Sequence, residues 1–161
     1  MATLTATITE ALTLNGKDRG STNTLTITGI NDVYHRIVSC PDDVPLTLVA
    51  FKSTVGVVAG EPLMDIELVK YIRVTNLDGT NPAVLNLTVD AGENDTAADK
   101  SASIQLEAGR SFIMGTPNEG ISPDSDNPTL NVATSALEDL RSIHIDPISE
   151  ALQVEVFIAS A

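Results

Sequence analysis

Polar and apolar side chains alternate strictly at the start of the chain. Threonine occupies 3, 5, 7, 9 and 13, and apolar residues occupy 4, 6, 8, 12 and 14. A period of two marks a strand with one wet and one dry face. Glu10 interrupts the dry face, which predicts a bulge, a strand edge or a change of partner there. Asn15-Gly16 follows, a dipeptide suited to a tight turn because both positions tolerate positive φ. The run "NTLTITG" then alternates again. A two-residue turn at 15–16 pairs positions whose numbers total 31, setting Leu4 opposite Ile27 and Ala6 opposite Leu25. The apolar phases agree, so an opening hairpin is expected. The polar stretch "KDRGST" then has to extend that hairpin into solvent. This first strand is either the first internal strand of the sandwich or an arm added to a neighbouring subunit's sheet, and the hairpin register favours the internal strand.

Strand patterns continue along the chain. They cover residues 34–40, 46–52, 66–76, 83–90, 101–109, 110–115, 129–134, 142–145 and 151–160. In the longest, Leu68, Tyr71 and Val74 do not keep one parity, and a bulge near Lys70 reconciles them. Asp78-Gly79 suggests a hairpin between 66–76 and 83–90, and Ala108-Gly109 a tight corner. Helical signals are thin. Ser135 and Glu138 form a capping box at the start of "TSALEDLR" (134–141), and "GINDVYH" (29–35) has room for one turn of helix. Two long segments, 90–102 and 115–129, read as surface loops. "FKSTVGVVAGEP" (51–62) reads as a core strand in preference to an apolar docking loop. About ten strands at roughly 10–15-residue spacing predict an all-β fold. The expectation is one domain spanning 1–161, a jelly-roll-like β-sandwich with at most one or two short helices.

Composition narrows the partners. The chain has 161 residues, enough for a sizeable core without disulfides or metals. Three Phe, two Tyr and no Trp leave that core to aliphatic residues. Lys and Arg total 9 against 22 Asp and Glu, a formal charge of −13. Such a surface repels phosphate backbones and anionic lipid, so neither nucleic acid nor membrane is an expected partner. No apolar run approaches the ~20 residues that span a bilayer. No basic region leads into an apolar stretch, so no secretory signal is expected and the product reads as soluble and made in a cytoplasm. Cys40 is the single cysteine and reads as a buried, inert thiol.

Candidate chemistry is sparse. His35 and His144 each fall within a strand pattern, and neither has the spacing of a zinc site. The carboxylate pairs Asp42/Asp43, Glu93/Asp95 and Asp124/Asp126 sit in turn-rich segments, without the separation across a cleft that glycoside hydrolysis needs. "PDSDNP" and "DAGEND" cluster oxygen donors without the EF-hand spacing. There is no P-loop, no G-x-G-x-x-G and no G-x-S-x-G. Two N-x-T sequons, 86–88 and 94–96, read as chance matches. Sugar recognition usually stacks rings on exposed aromatic residues, which a chain without Trp supplies poorly. No enzyme activity, catalytic residue, metal site or cofactor is expected.

The segments "LTLNGKDRGSTNT", "YIRVTNLDGTN", "LEAGRSFIMG" and "VEVFIASA" resemble parts of small virion proteins of marine-type tailed bacteriophages. The resemblance runs in order along most of the chain. It implies a virion component assembled in the host cytoplasm, such as a capsid decoration (cement) protein. The implied partners are the major capsid protein or another virion protein, and further copies of itself as a homo-oligomer. It carries over no contact residues. A tail, neck or fibre-attachment component shares the same composition, and a carbohydrate- or calcium-binding β-sandwich module is the alternative outside the virion.

Overall fold

A computed structural model describes residues 1–52, 63–89, 100–115, 117–121 and 137–161. Thirteen strands lie in them: β1 (Ala2–Glu10), β2 (Thr13–Leu14), β3 (Lys17–Asp18), β4 (Ser21–Ile30), β5 (Asp32–Cys40), β6 (Leu46–Lys52), β7 (Leu63–Asp65), β8 (Val69–Asn76), β9 (Ala83–Val89), β10 (Lys100–Leu106), β11 (Ser111–Met114), β12 (Leu140–Pro147) and β13 (Leu152–Ser160). One 3₁₀ turn, Ile66–Leu68, is the only helical element among the described residues.

Two sheets form the body. One has the order β10-β9-β12-β6-β7 and the other β11-β8-β13-β5. All neighbours are antiparallel except β6 and β7. The chain passes between the sheets at nearly every connection, and only β6–β7 and β9–β10 stay within one. Setting aside the short β7, this is the strand order of a jelly roll, two interlocked Greek keys. The expected all-β sandwich is therefore present.

The core follows from the pleat. Along β8, β9, β12 and β13 every second side chain is buried, and the inner faces meet in one aliphatic cluster. Ile72 and Val74 of β8, with Val154, Val156 and Ile158 of β13, pack against Leu85 and Leu87 of β9 and Ile143 and Ile145 of β12. β8 carries the expected bulge. Ala159 opposes Tyr71 and Ser160 opposes Val69, leaving Lys70 as the extra residue. The bulge turns Val69 into the core while Tyr71 points out of the opposite face.

The Asp78-Gly79 corner departs from expectation, because it links two sheets and closes no hairpin. Asn76, fully buried at the end of β8, anchors it. Its amide donates to the carbonyls of Asn81 at 2.8 Å and Leu106 at 3.2 Å, and its Oδ1 accepts from the Asp78 N–H at 3.0 Å. Asp78 Oδ1 accepts from the backbone of Asn81 at 2.7 Å and Thr80 at 2.8 Å, which holds its carboxyl below the usual range. Ala108-Gly109 is a corner as expected, with Gly109 at φ +68 between β10 in one sheet and β11 in the other.

Neither helical expectation holds among the described residues. Residues 29–35 are the end of β4 and the start of β5. Glu138 bridges to Ile121 and Leu140 opens β12. Residues 134–136 and the strand pattern at 129–134 lie outside the described residues, as does most of 51–62.

The opening hairpin forms in the expected register but belongs to neither sheet of the body, so β1 is not the expected internal strand of the sandwich. Among the described residues β1 pairs only with β4, and β2 only with β3. Asn15 (φ +53) and Gly16 (φ +73) make the turn, with positive φ at both central residues as a type I′ turn requires. Leu4 opposes Ile27, Ala6 opposes Leu25 and Leu14 opposes Lys17, so one register runs from Thr3 to the tip. The Glu10 break is the gap between β1 and β2. There Ser21 Oγ donates to Glu10 Oε2 at 2.7 Å. A side chain at Gly20 would run into the Glu10 carbonyl oxygen. On one face of this ribbon Thr3, Thr5, Thr7 and Thr9 oppose Thr28, Thr26, Thr24 and Thr22. Such cross-strand threonine pairs stabilise a ladder modestly.

Candidate functional site

The apolar face of the ribbon leads to the most distinctive surface of the molecule. At the ribbon's base Leu4, Ala6 and Ile27 pack with Ile30 onto Tyr71, Phe157 and Ala159, forming a second hydrophobic cluster. These body residues lie on the outer face of the four-stranded sheet. The register across that face sets Ile113, Arg73, Phe157 and His35 in one row, and Thr75, Glu155 and Ile37 in the next. An open groove of about 300 Å³ lies between Leu4–Ile8 of the ribbon and Tyr71, Arg73, Ile113 and Phe157 of the sheet.

An ionic cluster stands in the middle of this face. Glu155 takes Arg73 Nη1 on one carboxylate oxygen at 2.7 Å and His35 Nε2 on the other at 2.8 Å. The Arg73 and His35 hydrogen bonds hold the Glu155 carboxyl below the usual carboxylate range. Arg73 also donates to Thr75 Oγ1 at 2.7 Å, which contacts Ser111 Oγ at 2.8 Å. Phe157 meets His35 and Tyr71 edge-on, with ring centroids 5.8 and 6.1 Å apart. Around this centre the apolar side chains are left in water: Val33 is 48% exposed, Ile37 61% and Ile113 41%.

The outer face of the five-stranded sheet is different in kind. His144 sits between Thr47 Oγ1 (3.0 Å to Nδ1) and Ser142 Oγ (2.7 Å to Nε2), and Ser142 Oγ also contacts Thr88 Oγ1. Burial lowers the His144 pKa. Sequence reasoning passed over this Ser–His contact, whose only trace is the S-x-H alternation within one strand. Thr47 stands where a hydrolytic triad needs a carboxylate, so the contact fits a hydroxyl ladder better than a nucleophile.

The remaining sequence candidates fall apart in space. Cys40 is 1% exposed, and burial pushes its thiol up to about 11. Asp42 and Asp43 are an exposed turn, with Asp43 at φ +55. Among the described residues no three His, Cys, Asp or Glu side chains group as metal ligands. The pairs Glu93/Asp95 and Asp124/Asp126, the two oxygen-rich segments and the sequon at 94–96 lie outside the described residues. Asn86 of the other sequon is within β9 and donates to Ser103 Oγ at 2.9 Å. Tyr71 is buried under the ribbon, and Tyr34 packs against the core with the Arg36 guanidinium 5.2 Å over its ring, so neither ring lies open for sugar stacking. Among the described residues no helix is long and apolar enough to cross a membrane.

What the fold and this face define together is a jelly-roll domain with a projecting β-ribbon. No protein-family model matches the chain, and no curated protein matches it in sequence.

Proposed function

We propose that this chain is a virion structural protein, a capsid decoration (cement) protein that binds the major capsid lattice and stabilises the shell. The observation that carries the reading is the ribbon beside the apolar, ion-studded outer face. Together they offer protein-binding surface on a closed, aliphatic sandwich. The segments that resemble phage virion proteins add to it. Three of the four, 71–81, 106–115 and 154–161, contribute β8, β11 and β13, which are neighbours in the four-stranded sheet, and the fourth, 12–24, is the ribbon tip. The acidic charge of −13 favours docking on a basic patch and opposes non-specific aggregation.

Quantitative mass spectrometry of purified particles tests the reading. A copy number tracking the major capsid protein is expected. Absence from the particle overturns it, and a few copies in a multiple of three or six move the protein to the tail, neck or fibre attachment.

A further inference from the structure

We propose that the distal ribbon of one copy, residues 7–24, docks its apolar face on the outer face of the four-stranded sheet of a second copy, along β5. The inference rests on the reading of the chain as a protein-binding scaffold and names the surfaces involved.

The first argument is continuity. At its base the ribbon already binds this kind of surface, with Leu4, Ala6 and Ile27 packed on Tyr71, Phe157 and Ala159 of its own sheet. The same ribbon face continues outward through Ile8 and Leu25, is interrupted by the Glu10–Ser21 pair and resumes at Leu12 and Leu14; the four apolar residues are 51, 46, 55 and 55% exposed. Among the described residues β1 and β4 pair with nothing but each other. A two-stranded ribbon is marginal in water by itself and gains most of its stability from a covered apolar face.

The acceptor lies on the same chain. Beyond the reach of the chain's own ribbon, Val33 and Ile37 of β5 continue the outer face that Phe157 and Ala159 begin. β5 is a nine-residue strand at the sheet's edge, paired only with β13 among the described residues. It lacks the proline, lysine and bulges that commonly blunt an edge, and its charged side chains are Asp32 and Arg36.

Charge favours this occupant. Within residues 1–31 Lys17 and Arg19 balance Glu10 and Asp18, so the whole −13 resides in residues 32–161. Two bodies repel, but a neutral ribbon meets no such penalty. Its tip carries both cations on the apolar face, opposite Leu14 and Leu12, where they approach an acidic neighbour. Donor and acceptor are different surfaces, so the closed assemblies open to this contact are a two-fold dimer with reciprocal ribbon exchange and a head-to-tail ring.

The test is sedimentation of the purified full chain, without any virion. The wild type is expected as a discrete oligomer. Leu12→Asp with Leu14→Asp removes the donor, and Ile37→Asp removes the acceptor. Each variant is expected to be monomeric with an unchanged far-ultraviolet circular dichroism spectrum. Mixing the two is expected to give a one-to-one complex, since each retains the half that the other lacks. Lys17→Glu with Arg19→Glu is expected to weaken assembly roughly tenfold at low salt and less at high salt. A wild type that stays monomeric, or variants that keep the wild-type oligomer, overturn the inference. A confirmed oligomer that is absent from particles overturns the virion reading alone.

Discussion

The ribbon and the sandwich are written in the same alphabet and end in opposite conditions. β1 and β4 alternate as regularly as β8 and β13. Yet Val74 and Val156 are sealed, whereas Ile8 and Leu25 stand half in water. The difference is the second layer. A strand in the body buries its dry face against the opposing sheet, about 10 Å away. The ribbon has such a layer only at its base. Alternation therefore specifies which side of a strand is apolar and leaves open what covers it.

Substitutions separate the two regions, and the body gives the largest effects. Ile143→Ala empties space in the aliphatic core and is expected to cost about 2–5 kcal/mol in chemical denaturation. A cost under about 1 kcal/mol would show that the layers are loosely packed. Asn76→Ala leaves the Leu106 and Asn81 carbonyls and the Asp78 N–H without their partner, at an expected cost of about 1–3 kcal/mol. Gly20→Ala strikes the ribbon at its narrowest point. It is expected to abolish amide-exchange protection across residues 3–28 while the global unfolding free energy changes by less than about 0.5 kcal/mol, because strands that open locally do not draw on the core. A large global loss would mean that ribbon and body unfold together. Glu155→Gln on the half-wet outer face is expected to cost no more than about 1 kcal/mol, since partly exposed ion pairs contribute little.

Acid distinguishes the two outer faces. His144 binds its proton less readily folded than unfolded, so its contribution is complete above the ordinary histidine value, about 6.5, and falls away as pH drops below it. Glu155 and Asp78 have lowered carboxyl values. Their contribution holds above about pH 4 and is lost as pH falls further. Melting temperatures are expected to decline in two stages, and His144→Gln is expected to remove the first. Cys40 acts in the opposite direction. Its thiol is held protonated up to about 11, so stability declines as pH rises past the ordinary thiol value, about 8.5.

Much of the fold was legible because it depends on local chemistry. Asn15-Gly16 admits a two-residue turn, and that turn sets every pair from Leu4–Ile27 to Leu14–Lys17. The parity conflict among Leu68, Tyr71 and Val74 betrays the extra residue at Lys70. Sheet membership is less legible. Asp78-Gly79 and Ala108-Gly109 look alike in sequence, and whether such a corner closes a hairpin or crosses to the other layer depends on distant partners. The capping box at Ser135 and Glu138 was a sound local signal. Pairing of Leu140 and its successors with β9 overrode it in the described part. The outer-face cluster had no sequence signature, because His35 and Glu155 are 120 positions apart and meet only through the register of β5 with β13.

The unbroken register of the ribbon makes it a ruler with fixed graduations. Inserting one residue in either strand would exchange the threonine ladder for the oily stripe along everything beyond it. Only matched insertions of two residues in each strand keep both sides facing as they do, and each such step lengthens the arm by about 7 Å. Its reach is thereby quantised, and a redesign that seeks a longer or shorter span must move in those increments.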